Sequence, residues 1–337
     1  MKVVKDMKYL FNGLFLTIGI LLAISGTASA QDNKQAQIKV SEDEAKAIKK
    51  IENAKTLPDK VKATNDFIAK YPKSPARAQA ANYLAAQITQ VKDDAQIIQN
   101  GETYLTMFSE PAEADLILPS LIFSYSTVKR EKDAFATAEK YFARHPEDVS
   151  LRLKLAIDGS NLYRTGTKDY AAPSRAYAVQ AIELIEANKK PSNIDDAGWK
   201  DYQTKWLPQL YQTIGFLDYY TGDKPKARAS FEKATTLDAS DINSWVLLAT
   251  IHDEEYQALA NKYNITEAAA ERSALLKQAN EKLDVVIDMF ARIVALTDAR
   301  PEAKQINGEV RQNLESYYKY RHKSLDGMQE LINKYKK

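Results

Sequence analysis

The sequence predicts an all-α protein, and three observations carry that expectation. Apolar residues recur at spacings of three and four along most of the 337 residues, which places them on one face of a helix. The apolar–polar alternation of a half-buried strand is sustained nowhere over a useful length. The eleven glycines and eleven prolines fall mainly between the periodic segments, where they end helices.

Residues 1–30 have the composition of a secretory signal peptide. Lys2, Lys5 and Lys8 form a positive start, Leu10 to Ile24 is largely apolar, and Ala28-Ser29-Ala30 supplies the small residues of a cleavage site before Gln31. The apolar run is about 15 residues, short of the ~20 that span a bilayer, so no stable membrane insertion is expected after cleavage. The expected location is periplasmic or secreted. With no cysteine anywhere, a lipid-anchored terminus and disulfides are both excluded, and stability must come from packing. Cleavage removes three lysines and one aspartate from 47 basic and 45 acidic residues. The near-neutral remainder offers no general attraction to nucleic acid or to an anionic bilayer.

Residues 31–40 read as a disordered N-terminal tail. Ser41 with Glu44 three residues on makes a capping box that opens a helix running to about Ala54. Leu57-Pro58-Asp59 interrupts it, and helices then succeed one another. FIAKYPKSP (Phe67 to Pro75), FSEPA (Phe108 to Ala112) and YFARHPEDV (Tyr141 to Val149) each place a proline after an apolar helix end. Thr165 to Ser174 (TGTKDYAAPS) reads as a loop insertion.

Trp206 to Ser240 is the most informative stretch. Tyr211, Ile214, Gly215, Tyr219, Tyr220, Gly222, Asp223, Ala227, Phe231 and Ala234 give Y-x-x-I-G-x-x-x-Y-Y-x-G-D-x-x-x-A-x-x-x-F-x-x-A. Gly215 and Ala227 are small where two antiparallel helices must approach, and Phe231 and Ala234 continue one face of the second helix. This pattern resembles the tetratricopeptide (TPR) repeat, with a small residue in helix A and Ala-x3-Phe-x2-Ala in helix B. The resemblance is strong over 206–250 and weaker over 58–191, where Pro72, Pro111, Pro146 and Pro191 mark units longer and less even than the ~34-residue TPR period. It implies a right-handed superhelical solenoid of TPR-like antiparallel helix pairs over residues 41–300.

Trp245, Leu248 and Ala249 begin a further helix A, whose helical pattern runs on to about Tyr263, breaks at Asn264 and restarts near Thr266. The following helix, 266–297, carries Leu276, Ala279, Leu283, Val286, Phe290 and Ile293 at spacings of three and four. It is read as a lengthened helix B; a coiled-coil seam joining copies of the chain is the alternative. After Pro301, Glu302–His322 and Ser324–Tyr335 are expected to close the array as capping helices over 301–337.

Catalytic chemistry finds little support. His145, His252 and His322 fall in different units. His145 is placed at a helix exit, where it would cover carbonyl groups. His252-Asp253-Glu254-Glu255 reads as a solvated helix face, because adjacent helical residues diverge instead of converging on a metal. The run from Tyr317 to Lys323 reads as inward tyrosines with outward basic residues, not a nucleic-acid surface. Nucleophile-elbow, phosphate-loop, zinc-protease and EF-hand motifs are missing, and paired acids such as Asp93-Asp94 and Asp195-Asp196 fit helix ends. The reading is therefore non-catalytic, without cofactor or metal.

In the TPR family the concave side is lined by helix A. With Gly215 as its eighth position, the resemblance places Gln209, Gln212, Phe216, Tyr219 and Tyr220 in the groove, followed by Asn243, Val246, Thr250, Asp253 and Glu254. Amides and aromatics suit a peptide backbone with apolar side chains. Gln212 and Phe216 depart from the carboxylate-clamp pattern of chaperone-binding members. The expected function is an exported scaffold that binds another protein or an extended peptide. The alternatives are a module for a glycan or peptidoglycan fragment and a structural homo-oligomer through helix 266–297.

Overall fold

The computed structural model describes residues 22–23 and 38–336. The expected signal peptide and tail fall almost entirely outside them. Leu22–Ala23 (β1) pairs in parallel with Ile38–Lys39 (β2) over two residues. Every other regular element among the described residues is helical, and the chain is all-α. No helix among them is long and apolar enough to cross a membrane. The helices gather into two compact units.

The first unit holds the described residues up to Leu155, together with Pro191–Ile194. Its helices are α1 (Glu42–Asn53), α2 (Leu57–Lys70), α3 (Arg77–Thr89), α4 (Asp94–Met107), the single turn α5 (Pro111–Ala114), α6 (Leu118–Thr127), α7 (Glu131–Phe142) and the first part of α8 (Val149–Arg164). The expected capping box is present: the Glu44 amide donates to Ser41 Oγ at 3.3 Å and the Ser41 amide to Glu44 Oε2 at 2.9 Å. Successive helices pack on one another, burying Ile48, Phe67, Leu84, Tyr104 and Leu121 almost completely. Each such side chain contributes about 1.5–3 kcal/mol by leaving water. Pro111 not only ends the preceding helix region but opens α5, where its missing N–H has no intrahelical partner to lose. Arg77 grips that turn, donating from Nε and Nη2 to the two Glu113 oxygens at 2.7 Å each.

His145 departs from expectation. Its ring is engaged by side chains: Nε2 lies 2.8 Å from Asp115 Oδ2 and the ring stacks on Tyr141 at 4.4 Å. The Arg144 guanidinium, with His145 beside it, holds the Asp115 carboxyl below its ordinary range.

The second unit comprises Ala156–Lys190 and Asp195–Lys337. It contains the end of α8, then α9 (Ala171–Glu186), α10 (Asp196–Asp201), a π turn (Tyr202–Trp206), α11 (Leu207–Thr221), α12 (Lys224–Leu237), α13 (Ile242–Ile265), α14 (Ala269–Thr297), α15 (Lys304–His322) and α16 (Met328–Asn333). The loop expected over Thr165–Ser174 is shorter, because Ala171–Ser174 already forms the first turn of α9. Pro173 fits there since first-turn amides have no partner within the helix. The π turn precedes Pro208, whose ring would crowd the carbonyl four residues back in a regular helix. The wider turn lets the Leu207 amide reach Tyr202 O instead.

Between α11 and α12 the chain reverses in two residues. Gly222 takes φ 98° and caps α11, while the Asp223 carboxylate accepts from the Lys226 amide at 3.2 Å and opens α12. A non-glycine residue in that left-handed cap would be strained. Phe216, Leu217, Ala227, Phe231, Leu248 and Ile251 form the core beneath this hairpin. Next, α14 folds back along α13, and α15 and α16 close a core containing Leu283, Val286, Phe290, Ile293 and Leu314. The apolar stripe of α14 thus faces its own chain. Its first member is Leu275, buried, while Leu276 points outward at 38% exposure.

Candidate functional site

The predicted groove residues lie on α11 and α13, which touch each other and both pack on α12. Gln209 is partly buried and Asn243 exposed. Gln212 donates its amide to both Asp241 oxygens, at 2.8 and 2.7 Å, so it fastens α11 to the N-cap of α13. Val246 packs against the closing core, and Thr250 returns its hydroxyl to Val246 O at 2.9 Å. Asp253 accepts from Tyr317 at 2.8 Å. Tyr219 donates to Glu254 Oε1 at 2.9 Å, and Lys224 stands 2.9 Å from the other oxygen of that carboxylate. Burial, reinforced by Glu254, pushes the Tyr219 hydroxyl up to about 12.

The three aromatic positions split. Phe216 is 4% exposed and belongs to the core, whereas Tyr220 is 52% exposed. Between them runs a cluster that also takes in Tyr163 and Arg164 from the end of α8. The Arg164 guanidinium carbon stands 3.6 Å from the centre of the Phe216 ring. Phe216 and Tyr220 are 4.7 Å apart, Tyr219 meets Tyr220 edge-on at 5.0 Å, and Tyr163 approaches Phe216 edge-on at 6.0 Å. These spacings are those of attractive aromatic pairs, about 0.5–1.5 kcal/mol each.

Tyr163 and Arg164 carry a signal that periodicity alone passes over. Gly159-x-x-x-Tyr163-x-Thr165-Gly166-x-Lys168 and Gly215-x-x-x-Tyr219-x-Thr221-Gly222-x-Lys224 are the same string. The structure treats the two alike. A Cβ on Gly159 would stand 1.7 Å from Ser174 Oγ on α9, and one on Gly215 2.7 Å from Phe231 on α12. Gly166 and Gly222 both have left-handed backbones, at φ 102° and 98°. Tyr163 gives its hydroxyl to Tyr220 O on α11 at 3.1 Å, and Tyr219 gives its own to Glu254 on α13. In each hairpin the same tyrosine reaches the next first helix.

His252 is also placed differently from expectation. It is 7% exposed, not part of a solvated face. Lys282 Nζ on α14 lies 3.1 Å from its Nδ1 and 2.6 Å from Glu255 Oε2, while Arg228 of α12 reaches the other Glu255 oxygen at 3.1 Å. Burial, then the Lys282 charge, pulls the imidazole pKa down. Asp93 and Asp195 are N-caps, accepting from the Gln96 and Gly198 amides. Among the described residues no group of three or more His, Cys, Asp or Glu could hold a metal ion.

No protein-family model matches the chain, and a search of curated proteins finds no match.

Proposed function

We propose that the chain is an exported TPR-type scaffold that binds another protein or an extended peptide on the face formed by its successive first helices. In this reading the helical hairpins continue as a right-handed superhelical solenoid, a row of units each too small to be stable alone. The observation that carries it is the duplicated hairpin: a buried glycine, a tyrosine handed to the next first helix, and a left-handed glycine turn, at 159–168 and again at 215–224. A chain that repeats both its contacts and its turn at matching positions stacks like units in a like manner. The leader-like residues 1–30 support export, and the polar and aromatic residues on α11 and α13 support recognition of a peptide backbone.

Affinity capture from the native cell envelope, followed by mass spectrometry, tests the proposal. Wild-type protein should retain one or more specific proteins, and Gln209→Arg with Asn243→Arg should release them. Capture that is indifferent to those substitutions, or recovery of cell-wall glycan without protein, would remove it.

A further inference from the structure

We infer that the Arg164–Tyr220 cluster is the anchoring subsite of the proposed groove, and that it takes an acidic segment of a peptide carrying an aromatic side chain beside its carboxylate.

Which charges around the cluster are already satisfied decides what it can take. Nearby carboxylates are taken: Asp218 receives Arg175, and Glu254 receives Tyr219 and is ion-paired with Lys224. Two exposed cations are not. Arg164 and Lys168 lie over aromatic faces, those of Phe216 at 3.6 Å and Tyr163 at 5.7 Å, and neither pairs with a carboxylate among the described residues. A guanidinium lying over a ring uses its face and leaves its N–H edge free, and that edge matches a carboxylate in two-point geometry. Phe216 holds the group in place, so little side-chain freedom remains to be lost when a ligand arrives. Beside it, Tyr220 presents an exposed ring already propped by Phe216 and Tyr219. An anion next to a planar apolar group complements this surface; a cationic or purely aliphatic segment does not.

The inference depends on the groove reading, and the test separates the two. The full chain is titrated by fluorescence anisotropy with a labelled short peptide alternating glutamate and tryptophan, and with its lysine–tryptophan counterpart. The acidic peptide should bind saturably and weaken as salt rises, and the basic one should not bind. Arg164→Gln and Tyr220→Ala should each weaken binding by roughly tenfold or more, with circular dichroism unchanged because both side chains lie at the surface. Absence of saturable binding, or equal binding by Arg164→Gln, would overturn the subsite. Arg164-dependent binding of a uronic-acid oligosaccharide with none of the peptide would overturn the peptide as occupant. If Arg164→Gln keeps the captured envelope partner while Gln209→Arg with Asn243→Arg loses it, the subsite falls and the groove reading stands. If the acidic peptide binds through Arg164 but capture ignores the groove substitutions, the subsite stands and the wider groove reading falls.

Discussion

Gly215 lies beneath the ring of Phe231, so close that a Cβ on the glycine would stand 2.7 Å from Cε1. The two residues fix the separation of α11 and α12, and Phe231 is fully buried. Phe231→Ala should cost about 3–5 kcal/mol as a lost core aromatic. Gly215→Ala should cost about 1–3 kcal/mol through overpacking. In the Phe231→Ala background the added methyl has room, so the double variant should be more stable than the two costs predict by addition. Urea unfolding of the four proteins measures this, and simple additivity would show that the helices do not meet at this pair.

Arg175 on α9 donates to both oxygens of Asp218, at 2.5 and 3.0 Å, and Asp218 is 3% exposed. Asp218→Asn leaves the guanidinium without its countercharge. Because the Arg175 side chain is 36% exposed, the loss should fall below the ~3–5 kcal/mol of a fully buried broken pair, at roughly 2–3 kcal/mol. Thermal unfolding tests it, and a change under about 0.5 kcal/mol would place the pair among inconsequential surface contacts.

His252 gives the fold a pH dependence of definite sign. Its pKa is lowered on folding from 6.5, so the unfolded chain binds the extra proton more readily. The stability linked to this group is present above pH 6.5 and is lost as pH falls below it toward the lowered folded value. Protonation would set a second cation against Lys282 and close to Arg228, only partly offset by Glu255. Urea midpoints should fall from pH 7.5 to pH 5.5, and His252→Gln should flatten that slope. A slope unchanged in the variant would assign the effect to another group.

Asp298 is the hub of the closing helices. Its Oδ1 receives Arg311 at 2.8 Å and Asn307 at 3.1 Å from α15, and its Oδ2 receives Lys336 at 2.6 Å. Burial alone would raise its carboxyl, but these three donors hold it low. Asp298→Ala should destabilise the unit by roughly 1.5–3 kcal/mol. Hydrogen exchange should accelerate over 304–336 and stay unchanged in α11 and α12. Uniform acceleration across the unit would show that the closing helices do not open separately.

Local signals were readable in the residues themselves. The Ser41 box, the Gly222–Asp223 reversal and the packing role of Phe231 depend on neighbours a few positions away, which periodicity and turn chemistry report. Contacts set by a distant helix were not. His252 sits in a polar string, yet the packing of α14 along α13, with Lys282 against its ring, brings it inside. Leu275 and Leu276 are equally apolar, and only the packing of α14 on its neighbours selects the first. Phe216 looked available because family positions place it in a groove, and Arg164, from a different hairpin, covers it. The Arg164–Tyr220 cluster was reachable from the sequence through the duplicated G-x3-Y-x-T-G-x-K string, which the irregular unit lengths obscured.

The wide turn at Tyr202–Trp206 gives the chain one surplus residue between Trp199 and Leu210, both of which face inward. Gln203, Thr204 and Lys205 are exposed, yet losing one of them would tighten the segment to ordinary pitch and set the Pro208 ring against the carbonyl four residues back, the clash that the wide turn relieves. The same single deletion made after Pro208 would turn Gly215 about 100° away from its partner helix. The surplus residue is thus what lets a proline open α11 while Gly215 still meets Phe231.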